Sequence, residues 1–336
     1  MPEKFDERFL IVRLGSLGDL VHTLPAIASL RDSFPGARID WLVEHKWAAL
    51  LDGNPDLDET VRFDRGSWGM LRDCIRRLRA MRYTCAIDFQ GLYKSAILTM
   101  LSGAPRRVGF NRHAAREGIA AVLYTQRAAC PAGHVVQQNL ALAEAAGARK
   151  TVCRFPVQVP PEAEAEVSRR LASSGLGEFF VLSPGGGWRS KCWPPERYGE
   201  LCRELERRYG WRAIVNHGPG EEEVAEAVCA AAAKAKPLRL FTDIPQLAVL
   251  LRGAKVLVAG DTGPLHLAVA LGTPVVGLYG PTDPQRNGPY SHEDIVLRNA
   301  RPEETTHRRG NNYSAAMLRI PVEQVVAAVE RRLGLA

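Results

Sequence analysis

The sequence predicts an α/β protein made of two Rossmann-like domains, each a doubly wound parallel sheet, facing each other across a cleft. Three observations carry this expectation. Short β-branched and aromatic runs alternate with helical patterns from end to end, and strands separated by helices of that length imply parallel βαβ units. The alternation is interrupted once, by a proline-rich stretch near residue 150, and then resumes. At 336 residues the chain has room for about two domains of ~150 residues each.

In the first half, 9–14 reads as a buried strand and 19–33 as a helix. Strands follow at 38–43 and 60–63, then an arginine-rich amphipathic helix over 67–82, a strand at 85–89 and a helix over 92–101. A helix over 134–146 stops at Gly147, and Pro156, Pro160 and Pro161 mark 148–161 as a linker. The second half reads as helix 162–173, strand 178–183, helix 195–209, strand 212–216 and helix 220–233. It continues with strand 237–241, helix 244–252, strand 255–259, helix 262–271, strand 274–279 and a last amphipathic helix over 321–333. The expected domains are 1–155 and 156–320, with 321–336 as a C-terminal helix.

Composition narrows the class. The chain is 46% hydrophobic and 24% charged, ordinary for a soluble globular protein and unlike a disordered, collagenous or coiled-coil chain. Lys plus Arg number 44 against 37 Asp plus Glu, a surplus of seven that favours anionic partners without choosing among them. No nucleic-acid recognition motif accompanies the charge. The N-terminal residues mix acids and bases and show no secretory leader. The most apolar region, 255–280, is broken by Lys255, Asp261 and His266, short of a membrane span. Seven scattered cysteines without a Cys-x-x-Cys suggest a reducing compartment and no zinc site. A cytoplasmic protein is expected.

Ligands of open parallel sheets sit beyond the carboxyl ends of the strands, so the loops after strands are where chemistry belongs. The first is Arg13-Leu-Gly15-Ser16-Leu-Gly18-Asp19-Leu-Val-His22. Its glycines let the backbone approach a ligand. Asp19 reads equally as a helix N-cap or as a carboxylate accepting a proton from a hydroxyl; for His22, packing against the sheet is the simpler reading. No Gly-x-Gly-x-x-Gly dinucleotide fingerprint is present.

The second loop, Asp88-Phe-Gln90-Gly91-Leu-Tyr-Lys94-Ser95, groups amide, ammonium and hydroxyl side chains at one helix start. Residues 101–127 add Arg106, Arg107, Arg112, Arg116 and Arg127 against a single acid, Glu117. That run reads either as a solvated face or as a site for an anionic acceptor. In the third, Ser183-Pro-Gly185-Gly186-Gly187-Trp-Arg-Ser190-Lys191, consecutive glycines let backbone amides converge on phosphate, with Lys191 as a point charge. The fourth, Gly260-Asp261-Thr262-Gly263-Pro264-Leu-His266, is a strand, tight turn and helix start, a place where amides and dipole hold phosphate. Gly280-Pro-Thr-Asp-Pro284 follows the next strand.

Together, Gly18-Asp19 with His22-Thr-Leu-Pro25, Asp88-Phe-Gln90-Gly91 with Lys94-Ser-Ala96, Lys191-x-Trp193-Pro194, Asp261-Thr-Gly-Pro-Leu-His266 and Gly280-Pro-Thr-Asp-Pro284 resemble the bacterial heptosyltransferases of glycosyltransferase family 9, over roughly 9–333. Trp41-Leu-Val-Glu44 and 88–96 are most similar to the heptosyltransferase I branch. The resemblance implies a GT-B fold and inverting, metal-independent transfer of heptose from ADP-L-glycero-D-manno-heptose to the Kdo inner core of lipopolysaccharide. It implies no cofactor, no nucleic acid, and peripheral contact with the cytoplasmic face of the inner membrane.

Residue by residue, it implies Asp19 as general base and Lys191 at the donor phosphates. Donor contacts fall to Gly185, Gly186, Gly187, Ser190, Glu221, Asp261, Thr262, Gly263 and His266, with Glu221 on the ribose. Acceptor contacts fall to Gly15, Ser16, Gly18, His22, Gln90, Lys94, Arg106 and Arg107. One departure is Gly186-Gly187, where heptosyltransferase I enzymes commonly carry a Thr-Thr pair; the lost hydroxyl contacts would have to come from backbone amides or Ser190. A nucleotide-sugar epimerase of the same architecture, a transferase of another sugar or a later heptose, and a non-catalytic sugar-nucleotide binder are the alternatives.

Overall fold

The structure, a computed structural model, describes residues 7–64, 66, 68–306 and 308–335. The chain divides into two compact units, one ending at Gln158 and the other beginning at Val159. The first unit contains β1 (Arg8–Val12), α1 (Leu17–Val21), α2 (Leu24–Ser33), β2 (Arg38–Glu44), β3 (Glu59–Phe63) and α3 (Trp68–Ala80). After these come β4 (Cys85–Asp88), α4 (Tyr93–Leu101), β5 (Arg106–Phe110), β6 (Gln126–Ala128) and α5 (Val135–Ala145). Its six strands are all parallel, in the order β3-β2-β1-β4-β5-β6.

The second unit runs α6 (Pro161–Ser173), β7 (Phe179–Ser183), α7 (Pro195–Tyr209), β8 (Arg212–His217), α8 (Glu222–Ala232), β9 (Leu238–Phe241) and α9 (Ile244–Gly253). It continues with β10 (Leu257–Gly260), α10 (Gly263–Ala270), β11 (Val275–Tyr279), α11 (Pro284–Asn287), β12 (Ile295–Arg298), α12 (Ala315–Leu318) and α13 (Val322–Leu333). Its parallel sheet has the order β12-β11-β10-β7-β8-β9. Numbered from its own first strand, this is the same order as in the first unit.

In each sheet the chain starts in the middle, builds outward on one side, then returns and builds outward on the other. The reversal leaves a crevice at the carboxyl ends of the two central strands. Those strands are β1 and β4 in the first unit and β7 and β10 in the second. The four loops singled out in the sequence are the four that follow these strands. The central strands themselves are sealed by the core, with Phe9, Leu10, Ile11 and Val12 of β1 and Val181, Leu182, Val258 and Ala259 of the second sheet wholly buried.

Several elements depart from the sequence reading. The helix expected over 19–33 is two helices, broken at His22-Thr23. Pro25 lies in the first turn of α2; it lacks an N–H and its ring would strike the carbonyl of Val21 in a continuous helix. Strands β5, β6 and β12, each five residues or fewer, were not anticipated. The proline-rich stretch is not a free tether: Val152 N–H donates to Ser29 Oγ at 2.9 Å, Arg154 pairs with Asp56 at 2.6 Å, and Asn54 donates to the Pro156 carbonyl at 3.0 Å. These contacts tie it to the first unit. The last helix, α13, packs on α7, β11 and β12 and is part of the second unit. Among the described residues no helix is long and apolar enough to cross a membrane.

Candidate active site

At the first switch point, Ser16 caps α1 and Asp19 is its third residue, so Asp19 is not the cap itself. Its carboxylate accepts from the Ser16 N–H at 3.2 Å. A Cβ at Gly15 would stand 2.6 Å from the Trp47 indole nitrogen, so a larger residue here would force that ring to shift. Asp19 is only 17% exposed, and its Oδ1 meets two guanidiniums at 2.6 Å, those of Arg13 and Arg116. Arg13 is buried at 2% exposure, donates also to the Phe89 carbonyl, and has its own carbonyl fixed by the Trp41 indole at 2.9 Å. Arg116 is over one-third exposed. Burial pushes the Asp19 carboxyl up, but the fields of Arg13 and Arg116 outweigh it and hold the group well below the usual carboxylate range.

The loop after β4 is a scaffold beneath that carboxylate. Asp88 is buried and accepts from Gln90 and Gly91 N–H groups, Ser95 Oγ and Tyr124 OH, at 2.7–3.2 Å; burial pushes its pKa up against these donors. Gln90 accepts from the Leu14 N–H at 2.8 Å, so it braces the neighbouring loop. His22 is buried, edge-on to His134 at 5.3 Å, and its carbonyl accepts from Asn139. Gly18 is buried beside Asp19, whereas Ser16 and Lys94 are exposed.

The structure does not bring Arg106 and Arg107 to this cluster, and the acceptor contact expected of them is corrected. They open β5, with Arg106 level with Cys85 at the amino end of β4, the sheet edge opposite Asp19. Their guanidiniums are committed to the Ala145, Leu123 and Ala104 carbonyls.

At the second switch point, Gly185 follows β7 so closely beneath Glu221 that an added Cβ would lie 1.9 Å from its carboxylate oxygen. Glu221 accepts from the Gly218 N–H at 3.0 Å. Gly186 is partly open and Gly187 exposed. Lys191 ends a short 3₁₀ turn, Arg189–Lys191. Its ammonium bonds Asp261 Oδ2 at 2.6 Å and lies 4.2 Å from the centre of the Trp188 ring.

Asp261 Oδ1 accepts from Asn287 at 2.8 Å and faces His266 Nε2 at 3.4 Å. Burial again raises the Asp261 pKa, and the His266 and Lys191 contacts outweigh it, holding the carboxyl far down. Thr262 caps α10 by position, yet its hydroxyl turns back to the Gly260 carbonyl at 3.2 Å. Thr262 therefore gives no side-chain acceptor to the first-turn amides of α10, among which Pro264 has none to offer. Ser190 is buried beside Gly310, and its N–H donates to the Gly310 carbonyl at 3.2 Å. Among the described residues no group of three or more His, Cys, Asp or Glu stands together to hold a metal ion.

Sequence reasoning assigned no role to Arg13, Asn287 or the 308–313 segment, and named Arg116 only among the arginines of 101–127 offered as a site for an anionic acceptor. In that segment Tyr313 accepts from Arg189 at 2.9 Å and Arg309 approaches the Trp188 ring at 5.7 Å. The only sequence signal for Arg116 was its place in an arginine-rich run, and for the others there was none.

The arrangement is a paired strand-end carboxylate in one Rossmann unit and a glycine loop, lysine and uncapped helix start in the other. Residues 71–316 match the profile of Glycosyltransferase family 9 (heptosyltransferase). The chain belongs to glycosyltransferase family 9. It is a glycosyltransferase of GT-B fold.

It is 31% identical over 307 residues to lipopolysaccharide heptosyltransferase 1 of Pseudomonas aeruginosa, covering 86% of this chain and 83% of that one. Among solved structures it is similar to E. coli heptosyltransferase WaaC with ADP, at a TM-score of 0.75 and 27% identity over 98% of this chain and 99% of that one. A family 9 glycosyltransferase from Veillonella parvula shares the fold at a TM-score of 0.84 and 22% identity, covering 98% of each chain.

Proposed function

We propose that this glycosyltransferase moves heptose from ADP-L-glycero-D-manno-heptose to the Kdo inner core of lipopolysaccharide, with inversion. The observation that carries the reading is the division of labour between the two switch points. One holds the paired carboxylate of Asp19; the other brings together the glycine loop, Lys191 and the start of α10, with its own carboxylate, Asp261, bonded to Lys191.

In this reading Asp19 takes the proton of the acceptor hydroxyl as that oxygen bonds to the anomeric carbon and the bond to ADP breaks. Attack from the face opposite the leaving group gives inversion. The charge developing on ADP is met by the amides of Gly185–Gly187, the start of α10 and Lys191, an electrostatic site already in place before reaction. Glu221, beneath Gly185, takes the ribose hydroxyls. Because these groups supply the charge stabilisation, the transfer proceeds without a metal and survives a chelator. Arg116 takes the acceptor anion role first assigned to Arg106 and Arg107.

ADP-heptose, UDP-sugars and GDP-sugars offered with a Kdo-lipid acceptor test the reading by product mass. A heptose adduct formed from ADP-heptose alone supports it. An adduct from another donor, or donor conversion with no acceptor present, as an epimerase would give, overturns it.

A further inference from the structure

The second switch point is poor in positive charge. Its lysine, Lys191, is already matched by Asp261 at 2.6 Å, with both side chains largely buried. Glu221, against Gly185, adds a second carboxylate, and among the described residues no cation is paired with it. A nucleoside diphosphate brings more negative charge to this loop, and further charge develops on it as it leaves. Glycine amides and a helix start offer only partial charges in return. Like charges gathered in a partly buried site repel strongly, so a second full cation is called for.

That cation stands on the chain between β12 and α12. Strand β12 ends at Arg298, level with Tyr279 at the end of β11, so the chain leaves the sheet at the edge that carries Asp261. The Thr306 N–H donates to the Pro281 carbonyl at 2.8 Å and Arg298 bonds Thr305 Oγ1 at 2.6 Å, which keeps the chain on that edge. It is anchored again on the turn after the glycine loop. The Ser190 N–H donates to the Gly310 carbonyl, and a Cβ on Gly310 would stand 3.1 Å from that of Ser190. Arg189 bonds the Tyr313 hydroxyl at 2.9 Å, with its guanidinium 4.5 Å from the ring centre.

Arg309 lies between the Thr306 and Gly310 anchors. Its guanidinium is 5.7 Å from the centre of the Trp188 ring, the same ring that has the Lys191 ammonium at 4.2 Å. Two cations held on one indole are close enough to meet adjacent phosphates of a single diphosphate. Arg309 is exposed, and among the described residues it is paired with no carboxylate, so its charge is available to a ligand.

We propose that Arg309 binds the diphosphate of the nucleotide-sugar donor as a second cation beside Lys191. A planar guanidinium can meet a phosphate through two N–H groups at once, and the Trp188 ring and the Gly310 anchor hold it at the mouth of the glycine loop. The inference rests on the donor site proposed above and adds to it a residue from a distant part of the chain. With Gly186 and Gly187 bringing no hydroxyls, Arg309 supplies contacts that the loop itself lacks.

Calorimetric titration with ADP, without acceptor, tests it. Arg309→Ala should bind ADP about tenfold more weakly than the wild type, the value of one hydrogen bond to a charged group. Arg309→Lys, which keeps the charge, should lose no more than about threefold. Arg308→Ala removes an equal charge one residue away and should match the wild type. Thermal midpoints without ADP should be unchanged in all three, because both side chains are exposed. Wild-type ADP affinity in Arg309→Ala overturns the proposal. So does an equal loss in Arg308→Ala, which would make the effect one of general charge, and so does a raised acceptor KM with ADP affinity intact, which would place Arg309 on the acceptor. A wild type that binds no ADP defeats the donor reading itself, so the two failures are told apart.

Discussion

Two aspartates lie in loops after central strands of the two units, Asp19 after β1 and Asp261 after β10, the counterpart of β4, and each is paired with a cation, but they are held differently. Asp261 is 5% exposed and shared among Lys191, Asn287 and His266, with Lys191 itself 11% exposed. Asp19 is 17% exposed and held by one buried cation, Arg13, and one exposed cation, Arg116, both on the same oxygen. In the first arrangement the charged partner, Lys191, is itself largely buried. In the second, Arg116 can swing to an incoming anion while Arg13 keeps the carboxylate in place. A carboxylate clamped by two guanidiniums is a poor proton acceptor; released from one of them, it becomes a better one. In the proposed reading, the difference separates a fixed electrostatic site from a carboxylate whose basicity rises when Arg116 leaves it.

The largest test of this contrast is Asp19→Asn, which keeps an oxygen for Arg13 but cannot take a proton. Turnover should fall by about 10²–10⁴ with ADP affinity, measured by calorimetry, unchanged; near-normal turnover in a folded variant would remove Asp19 from the chemistry. Next is Lys191→Ala. It removes a charge from the donor site and strands Asp261 in the core, so ADP affinity should drop about 10- to 100-fold and unfolding free energy by about 3 kcal/mol. Arg116→Ala should cost only about 0–1 kcal/mol, since that pair is exposed and Arg13 remains; equal losses for the two variants would erase the distinction.

The third test uses pH. Asp19 has its pKa depressed in the folded protein, so its contribution to stability is present above the unfolded value of about 3.9 and is lost as pH falls toward the folded value. Removing Arg116 raises that folded value. The acid limb of kcat/KM should therefore move to higher pH in Arg116→Ala, and acid unfolding should begin at higher pH. A limb that stays where it is, or moves down, contradicts the pairing as drawn. The smallest effect is expected at Gly187→Thr. A Cβ there meets nothing within 4 Å, so the variant should fold normally and lower the donor KM by no more than about tenfold, the value of one added hydrogen bond. Gly186→Thr, by contrast, would press on Cys192 Sγ at 2.9 Å.

Much of this was legible in the sequence, for a local reason. Loops after central strands are built from neighbouring residues, so Gly18-Asp19 and Gly260-Asp-Thr-Gly announce themselves through glycines, a helix start and periodic apolar flanks. What was not legible is long-range. Asp19 and Arg116 are 97 positions apart, and nothing local distinguishes Arg116, which reaches the carboxylate, from Arg106, which braces a strand. Strands β5 and β6 were hidden because their arginines read as solvated surface, while their carbonyl partners lie on other elements. The break at Thr23 was visible in principle, since Pro25 stood in the expected helix; the apolar periodicity on either side outweighed it. Ser190 shows the reverse case, a residue whose burial the sequence does not announce. Its residue type suited a phosphate contact, and only the packing of Gly310 over it shows that the hydroxyl faces inward.

The close approach of Gly185 to Glu221 has a consequence for how this chain can change over generations. At 1.9 Å there is no room for even one added carbon while the glutamate keeps its place. Positions 185 and 221 are therefore not free to drift separately. A chain that trades Glu221 for a smaller residue opens position 185 to alanine or serine, whereas one that keeps the acid and adds a side chain at 185 must swing the carboxylate off the Gly218 N–H. Among relatives with altered nucleotide preference, these two positions should be found to have moved as a pair.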